Sequence, residues 1–186
     1  MIANNIYVGL VHYPVYNKQQ EVITTSITNL DIHDIARSCR TYDVKHYFVI
    51  NPLSSQAKMM QRILKFWRSE IAGKYNPDRV SALSIINYQP AIETAKEYIK
   101  NQEGTDPIVV TTTALGRENQ IDFGEFKQLG LSQPVLILFG TGNGLVEQLH
   151  KKADYILAPV RANSSYNHLS VRSAVAIVLD RLTSEK

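Results

Sequence analysis

Cysteine is almost missing from this sequence, which limits how the chain can be held together. Cys39 is its one cysteine, so an intrachain disulfide and a metal site built from several cysteines are both excluded. We expect Cys39 to be buried, as free cysteines in periodic apolar segments usually are. Stability must come from a hydrophobic core, and 186 residues with 44% hydrophobic composition can form one in a single domain, residues 1–186.

Long apolar runs and an excess of one charge are also missing. The first apolar run, residues 6–11, has no basic flank and ends at His12, so we expect no signal peptide, no contact with a membrane and a cytoplasmic protein. No multi-cysteine cluster exists to hold a metal, and we expect none. A net charge of +3 does not by itself indicate nucleic-acid binding.

Basic residues nevertheless form two clusters. Arg37, Arg40 and Lys45 lie close together in the sequence, and a second cluster with helical spacing consists of Lys58, Arg62, Lys65 and Arg68. Mixed Lys and Arg on an exposed helix form either an ordinary solvated face or a stripe that contacts RNA phosphates. The sequence leaves both interpretations open.

β-Favouring apolar segments alternate with helical patterns along the whole chain. The predicted strands are residues 6–13, 46–52, 80–88, 107–114, 134–140 and 155–160. The predicted helices are residues 29–43, 54–73, 90–102, 123–130, 145–153 and 170–182. The expected N-caps are Asn29 or Asp31, Ser54 or Ser55, and Asn167 or Ser170. This order predicts an α/β fold with a mostly parallel six-stranded sheet and helices on both faces.

Glycine is concentrated at one strand-to-loop corner, in the stretch LILFGTGNGL. Such a corner can receive a ligand on its backbone or can simply allow tight packing. The phosphate-binding P-loop is excluded because its Lys and its spacing are absent, and a dinucleotide-binding loop is disfavoured because no carboxylate follows on the next strand. A second polar loop, residues 161–168, follows the next predicted strand. Two such loops at neighbouring strand ends predict a shared pocket, and the other long loop, residues 17–28, is a further candidate for function.

These segments together resemble a known family. FGTGNGL and ILAPVRANSSYNHLSVRSAVAIVL are similar to the second and third motifs of the SPOUT superfamily of S-adenosylmethionine-dependent RNA methyltransferases, and NLDIHDIARSCRTYDV is similar to the first. The N-terminal stretches resemble more specifically a small bacterial group similar to a domain sometimes joined to tRNA guanine-N1 methyltransferase. The resemblance implies a C-terminal trefoil knot, a homodimer and an enzyme that methylates tRNA or rRNA.

The resemblance also implies which residues form the site. S-adenosylmethionine is expected on the three loops after the last three predicted strands. The implied cofactor contacts are Thr112, Thr113, Phe139, Gly140, Thr141, Gly142, Asn143, Gly144, Leu157, Pro159, Tyr166, Asn167, His168, Leu169 and Val171. Arg37 takes the position of the first motif's Arg, and Ser170 stands where the family pattern has Asn; both are the catalytic candidates. His12, Asn29 and Arg40 are the candidate substrate-binding residues.

Several of these assignments have ordinary structural alternatives. Arg37 suits bidentate phosphate contact, but it can equally pair with Asp31 or Asp34 on the surface of its own helix. Phe66 and Trp67 suit the core or a dimer interface better than nucleotide stacking.

Two other functions compete with methyl transfer. Because Ser170 replaces the usual Asn, the chain can be a cofactor-binding dimeric module without catalysis that binds RNA or regulates a partner. A Rossmann-type nucleotide-dependent enzyme is the other alternative, disfavoured by the missing carboxylate.

Overall fold

A seven-stranded sheet, parallel throughout, lies at the centre of the fold. The computed structural model describes residues 5–184, so residues 1–4 and 185–186 of the predicted domain lie outside the described part. The strands of the sheet are β1 (Ile6–Val11), β4 (His46–Ile50), β5 (Ile86–Gln89), β6 (Ile108–Thr111), β7 (Gln120–Ile121), β8 (Val135–Gly140) and β9 (Tyr155–Leu157), in the order β5-β4-β1-β8-β6-β9-β7. A small antiparallel hairpin, β2 (Val15–Tyr16) and β3 (Val22–Ile23), stands apart from it.

Helices cover both faces of this sheet, as predicted. The helices are α1 (Asn29–Thr41), α2 (Ser54–Trp67), α3 (Glu70–Tyr75), α4 (Pro77–Ser84), α5 (Ile92–Glu103), α6 (Phe123–Gln128), α7 (Glu147–Lys152) and α8 (Val171–Thr183). Buried residues of α1, α2, α4, α6 and α8 form the larger core cluster, and α5 and α7 pack against the smaller one. Because side chains alternate along a strand, β1, β4, β6 and β8 contribute to both clusters.

The central strand β1 shows how the sequence specifies this packing. All six of its residues are buried, with Val8 and Leu10 in the larger cluster and Tyr7 and Val11 in the smaller one. Each fully buried aliphatic side chain contributes about 1.5–3 kcal/mol. Cys39 is fully buried in α1, which confirms the prediction for that residue.

The prediction for residues 80–88 is wrong over its first half. Asn76 accepts a hydrogen bond from the backbone N–H of Arg79 at 2.9 Å and caps α4, and Pro77 occupies the first helical position. Pro fits there because its missing N–H would have no partner within the helix. The strand that follows is shortened to Ile86–Gln89.

The strand count and the second helix also differ from prediction. The seventh strand, β7, has two residues and pairs only with β9, so it is too short to leave a hydrophobic pattern. The predicted helix over residues 54–73 is two helices, because Ser69 caps a new helix by accepting from the backbone N–H of Ala72 at 3.3 Å.

The helix caps were predicted with mixed success. Thr28 caps α1 by accepting from the backbone N–H of Asp31 at 3.1 Å, so Asn29 and Asp31 are wrong as caps. Ser54 and Ser55 are also wrong, since Leu53 holds that position without a side-chain bond. Ser170 caps α8, as predicted.

Two expectations concern properties beyond secondary structure. The trefoil knot is a matter of how the chain threads through a loop, which strand order does not describe, and it stays a prediction. Within residues 5–184, none of the helices combines the length and the apolar character that a membrane span requires.

Candidate functional site

A cavity of about 740 Å³ opens at the carboxyl ends of three neighbouring strands, β8, β6 and β9. Its walls are the loops that follow these strands, the segment before α1 and the start of α8. Parallel strands end at the same edge of a sheet, so their following loops meet there. The volume is within the range of small-molecule pockets.

The glycine corner after β8 forms one wall, and its glycines are required for different reasons. A Cβ on Gly140 would lie 2.6 Å from the backbone N of Leu145, and one on Gly142 would lie 2.8 Å from the carbonyl O of Tyr16. Gly144 has φ of 101°, and a Cβ there would meet no atom within 4 Å. The first two glycines therefore permit close backbone packing, and only Gly144 presents a bare backbone to open space.

Most backbone N–H groups of this corner already have partners within the protein. Thr141 donates to the carbonyl O of Val11 at 3.2 Å, Asn143 to that of Tyr16 at 2.7 Å, and Gly144 to that of Thr141 at 3.0 Å. The loop is thus a rigid wall with few free donors.

The loops after β6 and β9 are tied together at the opposite wall. The Asn167 amide donates to the carbonyl O of Ala114 at 2.8 Å. The Thr112 hydroxyl holds the loop after β6 to β8, by donating to the carbonyl O of Leu138 at 2.9 Å. Ser170 accepts from the backbone N–H of Ser173 at 3.2 Å, so its hydroxyl serves as the cap of α8.

A charged group of side chains lines one end of the cavity. Arg117 and Glu147 form an ion pair with 2.6 Å between Nη1 and Oε2, and the guanidinium holds the pKa of Glu147 below its usual range. Beside them, His150 is buried, with its Nδ1 2.9 Å from the Thr111 hydroxyl. Burial, assisted by the positive charge of Arg117, lowers the pKa of His150 to about 4. His150 is therefore neutral near pH 7.

A chain of hydroxyl groups leads from the cavity wall to a second buried histidine. The Thr141 and Thr25 hydroxyls lie 2.5 Å apart, and Thr25 Oγ1 lies 2.9 Å from His12 Nδ1. His12 is fully buried, and burial lowers its pKa to about 4, opposed in part by the negative charge of Asp31. Its Nε2 has no hydrogen-bond partner in the described part of the chain. His12 thus lies behind the wall and supports it.

The cavity brings together most of the predicted site residues. Its lining includes Thr112, Thr113, Phe139, Gly140, Thr141, Gly142, Asn143, Gly144, Leu157, Asn167, His168, Leu169, Ser170 and Val171. Six predicted residues do not line it, namely His12, Asn29, Arg37, Arg40, Pro159 and Tyr166. Among these, Tyr166 is 74% exposed, with its ring edge-on to that of His168.

Arg37 lies on the exposed side of α1, outside the cavity. The alternative that it pairs with Asp31 or Asp34 is wrong, because both carboxylates face Arg172 of α8, at 4.0 and 3.6 Å. The Arg37 guanidinium has no hydrogen bond or ion pair to any residue in the range 5–184. Arg40 instead donates to the Ser81 hydroxyl of α4 at 3.2 Å.

Several lining residues were missed from the sequence. Those with polar or charged side chains are Tyr16, Gln20, Thr25, Ser26, Thr28, Asp31, Arg117, Glu147 and His150. The long loop at residues 17–28 was a candidate for function, and its members Gln20, Thr25 and Ser26 reach the cavity. Arg117, Glu147 and His150 gave no signal, because their approach depends on how the loop after β6 folds over α7. Within residues 5–184, no three His, Cys, Asp or Glu side chains are grouped as a metal site would require.

Solved structures similar to this fold include methyltransferases. A probable methylase family protein from Haemophilus influenzae Rd KW20 is 18% identical, with a TM-score of 0.64 over 98% of this chain and 66% of that chain. The SpoU methyltransferase AviRb from Streptomyces viridochromogenes, in complex with the cofactor AdoMet, is 16% identical, with a TM-score of 0.58 over 96% of this chain and 58% of that chain. At these identities the likeness shows that the chain shares their fold.

Comparison with related sequences identifies the family to which the chain belongs. The model of a family of SAM-dependent RNA methyltransferases matches residues 5–184, and the chain belongs to that family. An uncharacterized protein from Aquifex aeolicus is 37% identical over 99% of this chain and 91% of its own length. A tRNA (guanine-N(1)-)-methyltransferase from Nitratidesulfovibrio vulgaris is 41% identical over 98% of this chain. The chain spans only 43% of that larger relative.

Proposed function

We propose that this protein transfers a methyl group from S-adenosylmethionine to a nucleotide of tRNA or rRNA in the cytoplasm. The observation that carries the proposal is the cavity at the ends of β6, β8 and β9, which is lined by fourteen residues that the resemblance assigned to the site. Membership of an RNA methyltransferase family supports the cofactor and the class of substrate.

The residues of the cavity fit this cofactor by their chemistry. Phe139, Leu157 and Val178 give an apolar part suited to an adenine ring, and Arg117 and Glu147 give a charged end suited to the carboxylate and ammonium of an amino acid. Gly144 leaves backbone open toward the cavity. When bound, the cofactor supplies an electrophilic methyl group.

The protein's part in methyl transfer is to position the nucleotide. In-line displacement requires the attacking atom to be held close to the methyl carbon, so orientation accounts for much of the rate. We assign the orientation of a substrate phosphate to Arg37, whose guanidinium is exposed and engaged by no described carboxylate.

We further propose that the protein acts as a homodimer. Arg37 lies outside the cavity of its own chain, so a second copy is the element that can carry this side chain to a cavity. Exposed Leu30 and Leu169 near the cavity mouth, 59% and 45% exposed, are apolar groups that such an interface would cover.

The first test is thermal unfolding with and without S-adenosylmethionine, with NAD as the control ligand. At 100 times its dissociation constant a ligand adds about 2.7 kcal/mol, which raises the Tm of a domain this size by several degrees. Methyl transfer from labelled cofactor to bulk RNA follows, with Arg37→Ala expected to abolish it. Lys96→Ala, on the opposite face of the sheet, is the matched loss of one charge and should leave transfer unchanged.

One observation favours a second candidate function, a cofactor-binding module without catalysis. The Ser170 hydroxyl, at the position of the family's Asn, is used to cap α8. Selective stabilisation by S-adenosylmethionine without methyl transfer to tRNA or rRNA would support this module. Stabilisation by NAD alone would contradict both candidates.

A further inference from the structure

The basic segment of α2 forms one continuous exposed stripe. We define the α2 stripe as Lys58, Arg62, Lys65 and Arg68, all of which are exposed. Residues 54–68 contain these four cations and no Asp or Glu, whereas the whole chain has a net charge of only +3. The stripe is therefore a concentrated positive patch on a nearly neutral protein.

No carboxylate of the described residues neutralises the α2 stripe, whereas several other basic side chains have acidic partners. Lys45, Lys100, Arg117 and Arg172 each pair with an acidic side chain. None of the four stripe residues forms an ion pair within residues 5–184. Cations that are held in a row without internal partners are available to an external polyanion.

An aromatic side chain lies within the stripe. Phe66 is 53% exposed, and its ring meets that of Trp67 edge-on at 5.3 Å. Trp67 is fixed from beneath by His33 at 5.4 Å and by the Arg79 guanidinium at 5.7 Å. Trp67 packs against the larger core cluster as predicted, while Phe66 does not belong to it. Phe66 thus offers a supported ring to a stacking partner.

The start of α2 is joined directly to the cavity wall. The Gln56 side chain accepts from the backbone N–H of Ile27 at 2.8 Å, and the Asn51 amide donates to the carbonyl O of Thr25 at 3.0 Å. Thr25 and Thr28 line the cavity. From Lys58 the stripe runs away from this wall for about 15 Å, at 1.5 Å per residue.

We propose that the α2 stripe and Phe66 are the surface on which the RNA substrate lies while its target nucleotide occupies the cavity. Phosphates would contact the four cations, and an unstacked base would lie on Phe66. This inference rests on the proposed function. Pairing of the α2 stripe with the same stripe of a second copy is unfavourable, because the two rows of positive charge would repel each other.

The test compares two triple variants of the full chain that lose the same charge. Lys58→Gln, Arg62→Gln and Lys65→Gln remove three cations from the stripe. Lys96→Gln, Lys151→Gln and Lys152→Gln remove three from α5 and α7, which pack on the opposite face of the sheet. Binding is measured by fluorescence anisotropy with an unmodified tRNA transcript at several KCl concentrations.

The stripe variant should bind the transcript about tenfold or more weakly, and the slope of log Kd against log salt should fall by about two to three. The control variant should retain the affinity and slope of the unaltered protein. Equal losses in the two variants would overturn the proposal, since they would report net charge alone. Unchanged binding in the stripe variant would also overturn it.

Phe66 is tested by a pair of substitutions. Phe66→Tyr retains a ring and should retain affinity, whereas Phe66→Leu should weaken binding about tenfold. Equal affinity of the two variants would overturn the role of stacking.

Cofactor binding and methyl transfer separate this inference from the proposed function. The stripe variant should keep its thermal shift with S-adenosylmethionine and its kcat at saturating RNA, with a raised KM. Methyl transfer by the unaltered protein, together with an unaltered KM in the stripe variant, would overturn the stripe alone. Binding of the unaltered protein to phosphatidylserine vesicles and not to the transcript would overturn both.

Discussion

At the scale of single residues, glycines of one loop differ in what they contribute. Gly140 is held where any Cβ would collide with backbone, whereas Gly144 combines a positive φ with free space. Backbone atoms cannot move aside as a flexible side chain can, so the first position tolerates no side chain. At Gly144 a side chain would have space, and only the positive φ of the backbone would disfavour it.

Gly140→Ala should lower the free energy of unfolding by about 2 kcal/mol or more, because the β8 corner must open to admit the methyl group. Gly73→Ala in α3 is the matched control, since a Cβ there meets nothing within 4 Å. Gly73→Ala should raise the free energy of unfolding by about 0.5–1 kcal/mol, because Ala favours the interior of a helix more than Gly does. Chemical denaturation measures both, and equal effects would refute the packing argument.

Two buried histidines, His12 and His150, couple stability to pH. Burial lowers the pKa of each to about 4, against an ordinary value of 6.5. Between these values the unfolded chain binds more protons than the folded one. Stability is therefore complete above about pH 6.5 and falls as the pH decreases toward 4.

Each histidine should contribute up to about 3 kcal/mol of this acid sensitivity. His12→Asn retains a group for the Thr25 hydroxyl and removes the titration, so its loss of stability between pH 6.5 and 4.5 should be smaller. Urea unfolding across this range is the measurement, and His168→Asn, which alters an exposed histidine, is the control. A pH profile in His12→Asn as steep as that of the unaltered protein would contradict the assignment.

At the scale of secondary-structure elements, the Arg117–Glu147 pair joins the loop after β6 to the start of α7. Both side chains line the cavity and are partly exposed, at 23% and 43%. Water screens such a pair, so it contributes little to the stability of the fold. Its main effect is to fix the position of the cavity wall.

Arg117→Gln and Glu147→Gln should each weaken S-adenosylmethionine binding by about 3- to 10-fold, with little change in the Tm of the free protein. Isothermal titration calorimetry measures the affinity. Lys100→Gln breaks the exposed bridge to Asp106, away from the cavity, and should leave the affinity unchanged. Equal weakening by Lys100→Gln would show that the effect is a general one of charge.

The strands and helices also differ in how well they could be predicted from the sequence. Strands with continuous β-favouring runs, such as β1 and β8, were placed correctly because burial on both faces leaves an unbroken apolar pattern. Residues 80–84 were misassigned because the Asn76–Pro77 pair was not recognised as the capping signal of a helix. β7 left no pattern, since two residues have no periodicity.

For the site, the motif-bearing loops after β6, β8 and β9 were predictable because their residues adjoin in sequence. The charged end was not, because Arg117 reaches Glu147 across 30 positions and depends on tertiary packing. His12, near the end of the first predicted strand, was a candidate substrate-binding residue. Its burial behind Thr25 depends on the path of residues 17–28, which no local pattern describes.

At the scale of the whole molecule, the proposed dimer makes a prediction about shared sites. If Arg37 acts across an interface, a chain with Arg37→Ala and a chain with a filled cavity should complement each other. Ala174→Trp fills the cavity, because Ala174 lines it from α8.

Each variant alone should be inactive, and co-refolded mixtures at equal amounts should regain about one quarter of the activity of the unaltered protein, since half of the dimers are mixed and each has one intact site. Labelled methyl transfer to bulk RNA measures the recovery, and sedimentation velocity confirms that mixed dimers form. No recovery from mixed dimers would show that Arg37 serves its own chain or none.

The direction of the last helix has a consequence for how this unit combines with others. α8 begins at the cavity with Ser170 and returns along the sheet, so that the Ser184 carbonyl accepts from Lys127 at the far end of α6. The carbonyl of Asn5 likewise accepts from Val135 N–H, at the start of β8. Both described ends thus lie on the side opposite the cavity mouth. An affinity tag or a second enzyme joined at either end would leave the entrance clear for a nucleic acid.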